Sequence, residues 1–72
     1  MAANGLVKRS VNISGHATSI SLEPLFWEAL KRAAERENLT LNALVARIDE
    51  ARTTNLSSAI RVWLFEAALR GN

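Results

Sequence analysis

The feature that most constrains this chain is the change of hydrophobic period at Pro24. Up to Leu22, apolar and polar residues alternate as in a half-buried strand, and after Pro24 the apolar residues follow helical spacing. Pro24 suits the first position of a helix, because its missing N–H would have no intrahelical partner there. A strand over residues 18–22 cannot satisfy its own backbone hydrogen bonds, and we expect no strong partner strand elsewhere in the chain. The sequence therefore predicts that the partner strand comes from a second copy.

Length and composition limit the chain to one small domain. With 72 residues, no cysteine and one histidine, the chain offers neither a disulfide nor an ordinary zinc site to stabilise a small core. Oligomerisation is the remaining source of stability. The net charge of +2 mildly favours a polyanionic partner, and an ordinary soluble surface explains it equally well. Since no signal peptide or membrane span is recognisable, we expect a cytoplasmic protein.

The N-terminal residues 1–15 are interpreted as a flexible basic arm, with residues 16–72 forming the domain. Residues 1–5 are small and polar, and Lys8 and Arg9 follow them. The next few residues alternate until Gly15, so this segment is either a minor extra strand or an extended arm, and we favour the arm. His16 is in phase with the buried face of the predicted strand and is interpreted as a structural residue.

Apolar spacing predicts three helices, over residues 24–37, 41–52 and from about 57 to 69. The first carries an apolar stripe that includes Leu25, with Trp27 at its margin; we expect Trp27 to pack against the third helix or a partner subunit, and its indole N–H needs an acceptor. Thr40 is a good N-cap for the second helix. The third helix is apolar on two sides, so it either wraps a dimer core, which we favour, or docks another protein.

This order of elements resembles the ribbon-helix-helix superfamily of Arc and MetJ type. The resemblance rests on the 18–22 strand, the apolar stripe of the first helix and the 38–42 turn. A longer set of residues, including 9–11, 15–16 and 55–61, resembles the sequences of a small bacterial subfamily that has a third helix.

The resemblance implies a mostly α fold with one short strand, which pairs antiparallel across an intertwined homodimer, plus a C-terminal third helix. It implies that the paired strands enter the DNA major groove as a ribbon. The outward positions are Ala17, Ser19 and Ser21, where family members usually have at least one Arg, Lys, Asn or Gln. Because serine discriminates poorly between bases, we expect weak direct readout and more affinity from phosphate contacts. The expected phosphate contacts are Lys8, Arg9, Thr40, Leu41 and Asn42, and the expected dimer core is Ile20, Leu22, Phe26, Leu30, Leu44 and Ile48.

The leading hypothesis is a homodimeric protein that binds double-stranded DNA and regulates transcription of its own or neighbouring genes. The alternative is a protein-interaction module, antitoxin-like or an adaptor, whose apolar third helix binds a client protein. A helix-turn-helix over residues 28–48 ranks below the ribbon, since the exposed charges of its second helix are mixed. An enzyme, a cofactor or a metal site is not expected, because the sequence has no catalytic constellation or glycine-rich phosphate loop.

Overall fold

A computed structural model describes residues 5–70, which form two strands followed by three helices. The elements are β1 (Val7–Ile13), β2 (His16–Leu22), α1 (Pro24–Arg36), α2 (Leu41–Ala51) and α3 (Leu56–Leu69). The helices lie where the sequence predicts them, to within one or two residues. Residues 1–4, which belong to the segment predicted to be disordered, lie outside the described residues.

The partner of β2 is β1 of the same chain, and this corrects two predictions. The strands pair antiparallel, from Val7 opposite Leu22 to Ile13 opposite His16. They are joined by Ser14 and Gly15, whose φ angles of 52° and 85° are the positive values that a type I′ hairpin turn requires. A two-residue turn closes this pairing at a far smaller entropic cost than bringing in a second chain. Within one chain β2 therefore has a partner strand that the sequence analysis does not expect, and residues 7–13 are a strand and not an extended arm.

The core lies between one face of the hairpin and the three helices, and one chain is sufficient to enclose it. Five of the six side chains predicted for a dimer core are buried within this single chain, whereas Phe26 is half-buried. The buried apolar residues are Val11, Ile20, Leu22, Trp27, Leu30, Ala33, Ala34, Leu44, Val45, Ile48, Ile60, Leu64 and Ala67. A side chain enclosed in this way has little area left to bury against a second copy.

Two apolar regions lie outside this core. Leu25, predicted for the buried stripe of α1, is 74% exposed, although its neighbours Phe26 and Trp27 in the same turn are half-buried and buried. On α3, the side that includes Ile60 and Leu64 is buried, and the side that includes Phe65 faces outward. The expectation that α3 is apolar on two sides therefore corresponds to one packed side and one exposed side.

Capping side chains fix where α2 and α3 begin. The Thr40 hydroxyl oxygen accepts a hydrogen bond from the Ala43 amide at 3.0 Å, which confirms the predicted N-cap. The side-chain carbonyl oxygen of Asn55 accepts from the Ser58 amide at 2.9 Å and caps α3 in the same way. After α1, Asn38 adopts a left-handed conformation with φ of 58°, which turns the chain toward α2.

Candidate nucleic-acid interface

The face of the hairpin that points away from the core is polar, and both strands contribute to it. Residues directly opposite each other in an antiparallel pair of strands share a face, so β1 and β2 contribute equal numbers of residues to this polar face. We call this surface the outer face; it consists of the pairs Lys8 and Ser21, Ser10 and Ser19, and Asn12 and Ala17. All six are exposed except Ser21, which is half-buried.

The outer face contains two candidate residues that the sequence analysis does not place on the ribbon. It places Ser10 and Asn12 in an arm, and it expects Lys8 to contact phosphates from that arm. The register brings Lys8 and Asn12 beside the three β2 positions expected to face DNA bases. The ribbon therefore has the Lys and Asn side chains that the β2 positions alone lack. The signal that could have located them is the alternation before Gly15, followed by a two-residue turn.

The edges of the hairpin are held by side chains from the starts of α2 and α3. The Asn12 amide donates to the Asn42 side-chain oxygen at 3.3 Å, which places the first turn of α2 at the β1 edge. The Ser57 hydroxyl donates to the Ser21 carbonyl at 3.1 Å, which places the first turn of α3 at the β2 edge. Both contacts use backbone atoms of outer-face residues, so they position the hairpin without occupying its side chains.

Arg9 lies on the opposite face of β1 from Lys8 and is held over an indole ring. Its guanidinium carbon is 5.5 Å from the centroid of the Trp27 ring, within the range of a cation–π contact. The Trp27 indole N–H donates to the Val7 carbonyl at 2.8 Å, so the acceptor that it needs is in β1. A shallow cleft of about 150 Å³ is lined by Arg9, Trp27, Glu28, Lys31 and Leu41. Arg9 and the first residue of α2, both expected to contact phosphates, thus meet at one flank.

The net positive charge of the protein resides in the hairpin segment. Residues 1–22 contain Lys8 and Arg9 and no acidic residue, so the remaining Lys and Arg residues equal the seven acidic residues of the chain in number. Two of those remaining cations also form ion pairs within the chain, Arg52 with Asp49 at 2.6 Å and Arg61 with Glu23 at 3.0 Å. The outer face and its Arg9 flank are therefore suited to a polyanion.

The Glu23–Arg61 pair fixes the junction between β2 and α1 against α3. A hydrogen bond from its own backbone amide, and then the Arg61 guanidinium, hold the pKa of the Glu23 carboxyl below its ordinary value.

Within residues 5–70, no group of three or more His, Cys, Asp or Glu side chains is placed to hold a metal ion. No helix of this part of the chain combines the length and apolar character needed to cross a membrane.

Comparison with known proteins identifies the class to which this fold belongs. The family model described as a ribbon-helix-helix domain matches residues 6–68, and the chain belongs to this family. Members of the family are typically DNA-binding modules without enzymatic activity, and they usually bind DNA as dimers.

Among solved structures, the chain is similar to a protein from Bordetella pertussis Tohama I that is described as uncharacterized. The two sequences are 27% identical, and the superposition has a TM-score of 0.76. The match covers 93% of this chain and 58% of that protein, so this chain spans little more than half of its length. None of the curated proteins searched matches this chain significantly.

Proposed function

We propose that this protein is a homodimeric DNA-binding protein that inserts the outer face into the major groove and regulates transcription of its own or neighbouring genes in the bacterial cytoplasm. The observation that carries the proposal is the polar outer face on a two-stranded ribbon, in the segment that holds the net positive charge. The major groove is wide enough for a two-stranded ribbon, and base edges are read there by hydrogen bonding.

The outer face supplies both a discriminating side chain and adaptable ones. Asn12 can donate to N7 and accept from N6 of adenine, which is a specific two-point contact. Ser10 and Ser19 lie opposite each other at the middle of the ribbon and can contact several bases, whereas Ala17 offers its methyl group to a thymine methyl. Direct readout thus centres on Asn12, and the two serines add affinity with little selectivity.

Phosphate contacts come from Lys8 and from the flank of the ribbon. Lys8 lies near the end of the outer face away from the turn, where its long side chain can reach the sugar–phosphate backbone. At the β1 edge, Arg9 lies beside Leu41 in the same cleft. Thr40 caps the Ala43 amide, and the amides of Leu41 and Asn42, in the first turn of α2, have no intrahelical partner. Free amides at a helix start bind phosphate oxygens, and Arg9 adds a positive charge to them.

Fluorescence anisotropy with a pool of genomic duplex fragments, over a salt series, tests this proposal. Lys8→Ala should weaken binding about equally for all fragments and reduce the slope of log affinity against log salt by about 1. Asn12→Ala should cost about 1–3 kcal/mol on the preferred fragments and little on the others, because it removes a base contact. Arg47→Ala is the matched control, since it removes one charge from a cleft that is lined by α2, α3 and the segment between them and by no hairpin residue.

Two outcomes would contradict the proposal. A folded protein that binds no duplex even at low salt would exclude DNA binding by this ribbon. An equal loss of affinity in Lys8→Ala and Arg47→Ala would show that binding depends on overall charge rather than on the outer face. Circular dichroism of each variant establishes that the fold is retained.

The exposed side of α3 supports a second candidate function, that of an antitoxin-like module or adaptor. Val62 and Phe65 project from this side and leave apolar surface uncovered in the single chain. In this case the hairpin serves the fold, and a client protein covers α3. The anisotropy experiment separates the two candidates, because an adaptor of this kind predicts no enrichment of particular fragments.

A further inference from the structure

A cleft lies between α2 and α3, in a part of the molecule that the proposed DNA contacts do not use. Its volume of about 450 Å³ falls within the range of about 300–1,000 Å³ that is typical of small-molecule sites, and such sites often lie between helices. We call it the α2–α3 cleft. Its lining includes the apolar residues Ile48, Ala59 and Trp63 and the charged residues Arg47, Arg52 and Glu66.

Trp63 gives the α2–α3 cleft an aromatic wall with an unused donor. Its side chain is half-buried, and its indole N–H makes no hydrogen bond to any residue that the structure describes. Trp27 differs in both respects, since it is buried and its N–H donates to the Val7 carbonyl. A ring with one face uncovered packs well against another flat apolar group, and its N–H can bind an acceptor on that group.

Two guanidinium groups line the same cleft and have N–H donors to spare. Arg52 donates from Nε to Asp49 at 2.6 Å and from Nη1 to the Thr54 carbonyl at 2.8 Å, so its guanidinium is held in place with three of its five donors unused. Arg47 forms no ion pair or side-chain hydrogen bond within the described part of the chain. Planar guanidinium groups match the geometry of a carboxylate, which accepts two parallel hydrogen bonds from them.

The acidic residue of the lining is placed away from the turn that holds Arg52. Glu66 lies one turn of α3 beyond Trp63, about 4.5 Å further along the helix axis, toward the C-terminal end of α3. The cleft is thus rich in donors near the turn between α2 and α3, apolar in the middle and acidic at the far end. We propose that the α2–α3 cleft binds a small carboxylic acid with a flat apolar body, which lies against Trp63 while the carboxylate meets Arg47 and Arg52.

This site is independent of the outer face. The contacts that hold the hairpin come from Asn42 and Ser57, at the starts of α2 and α3, whereas the cleft is lined by residues further along the two helices and by the segment between them. The DNA-binding experiment contains no small acid, so the removal of Arg47 there tests charge alone. The two experiments can therefore fail independently.

Two-dimensional ¹H–¹⁵N NMR with 2-naphthoate as the probe tests the site. The chain has two tryptophans, so the spectrum has two indole N–H peaks, and the Trp63→Phe variant shows which is which. The Trp63 peak should shift saturably with a dissociation constant of about 1 mM, as expected for a probe of this size. The Trp27 peak is the internal control, since its N–H is already bonded. 2-Naphthylmethylammonium has the same ring with the opposite charge, and it should bind at least about 10-fold more weakly.

Three variants test the role of the charges. Arg47→Gln should raise the dissociation constant of 2-naphthoate about 5-fold, because it removes a charge-assisted contact at an exposed position. Glu66→Gln should lower it about 2-fold, because it removes a charge of the same sign as the probe. Arg32→Gln is the matched control, since it removes a positive charge from an exposed position of α1 outside the cleft lining, and it should bind the probe as the wild type does.

Three outcomes would overturn the proposal. The first is a Trp63 peak that does not shift at about 10 mM 2-naphthoate, as when another protein surface covers the cleft. The second is equal affinity for the two naphthyl probes, which would mean that the cleft binds apolar rings without regard to charge. The third is an equal loss of affinity in Arg47→Gln and Arg32→Gln, which would mean that binding follows the overall charge of the protein.

Discussion

Replacing Trp27 with phenylalanine should loosen the attachment of β1 to α1. Trp27 is buried, its indole N–H donates to the Val7 carbonyl at 2.8 Å, and the Arg9 guanidinium lies over its ring. These contacts join the first strand to the first helix across 20 residues of sequence. Phenylalanine keeps an aromatic ring in the core but has no donor for the Val7 carbonyl.

The expected cost is about 2 kcal/mol of unfolding free energy. Leaving a partly buried carbonyl without its donor costs about 1–2 kcal/mol, and the weaker cation–π contact and smaller ring add about 0.5 kcal/mol. A domain of 60–100 residues loses roughly 4–8 °C in Tm per kcal/mol, so the Tm should fall by about 8–16 °C. At about 0.05–0.15 kcal/mol of stability per residue, this is a large fraction of the total for a chain of 72 residues.

Urea and thermal unfolding followed by far-UV circular dichroism measure this loss without depending on tryptophan fluorescence. Trp63→Phe is the matched control, since within residues 5–70 the Trp63 indole nitrogen makes no hydrogen bond and its loss should cost less than about 1 kcal/mol. A double-mutant cycle of Trp27→Phe with Arg9→Ala should give a coupling energy of about 0.5 kcal/mol. Equal losses in the two tryptophan variants would refute the reasoning, because they would show that the hydrogen bond to β1 contributes nothing.

Two further predictions concern the core and the β2–α1 junction. Leu44→Ala, at a fully buried position, should cost about 3 kcal/mol of unfolding free energy, whereas Leu25→Ala, at an exposed position, should cost less than about 0.5 kcal/mol. Urea unfolding measures both losses, and similar values for the two variants would contradict the described packing. Because the pKa of Glu23 is lower in the folded state, its stabilising effect is fully present above the unfolded pKa and is lost as pH falls through the folded one. Urea midpoints measured from neutral pH to below the ordinary pKa of 4.5 should therefore fall less steeply in Glu23→Gln, and parallel curves would exclude this contribution.

The helices could be predicted from the sequence because their limits are set locally. Pro24 begins α1, and Thr40 caps α2 through a hydrogen bond three residues away. Such signals involve few residues and do not depend on distant parts of the chain. Leu25 shows where helical periodicity is insufficient, since its position on the stripe does not say whether another element of the chain packs over it.

The hairpin was missed because its signals are weak in the sequence. Ser14 occupies a turn position with positive φ, where Asn, Asp or Gly is the usual residue, so only Gly15 indicates the turn. Arg9 interrupts the apolar alternation of β1; it is exposed, and its guanidinium lies over the Trp27 ring. That contact joins distant segments and cannot be inferred from a local pattern.

The candidate site could be predicted from the sequence only for the residues that β2 contributes. The period of two separates Ala17 and Ser19 from the buried Ile20 without knowledge of the fold. The contributions of Ser10 and Asn12 depend on the register between the strands, which becomes known only when β1 is recognised as the partner.

The way the hairpin edges are held has a consequence for how the outer face can vary in sequence. The Asn42 and Ser57 contacts reach the main chain at Asn12 and Ser21, and the side chains of the outer face take no part in the buried core. Substitutions across these positions therefore leave the supporting contacts in place, provided that the new residues tolerate an extended backbone. The residues that contact DNA in the proposed function are thus separate from those that hold the fold, so one framework can accommodate many outer-face sequences.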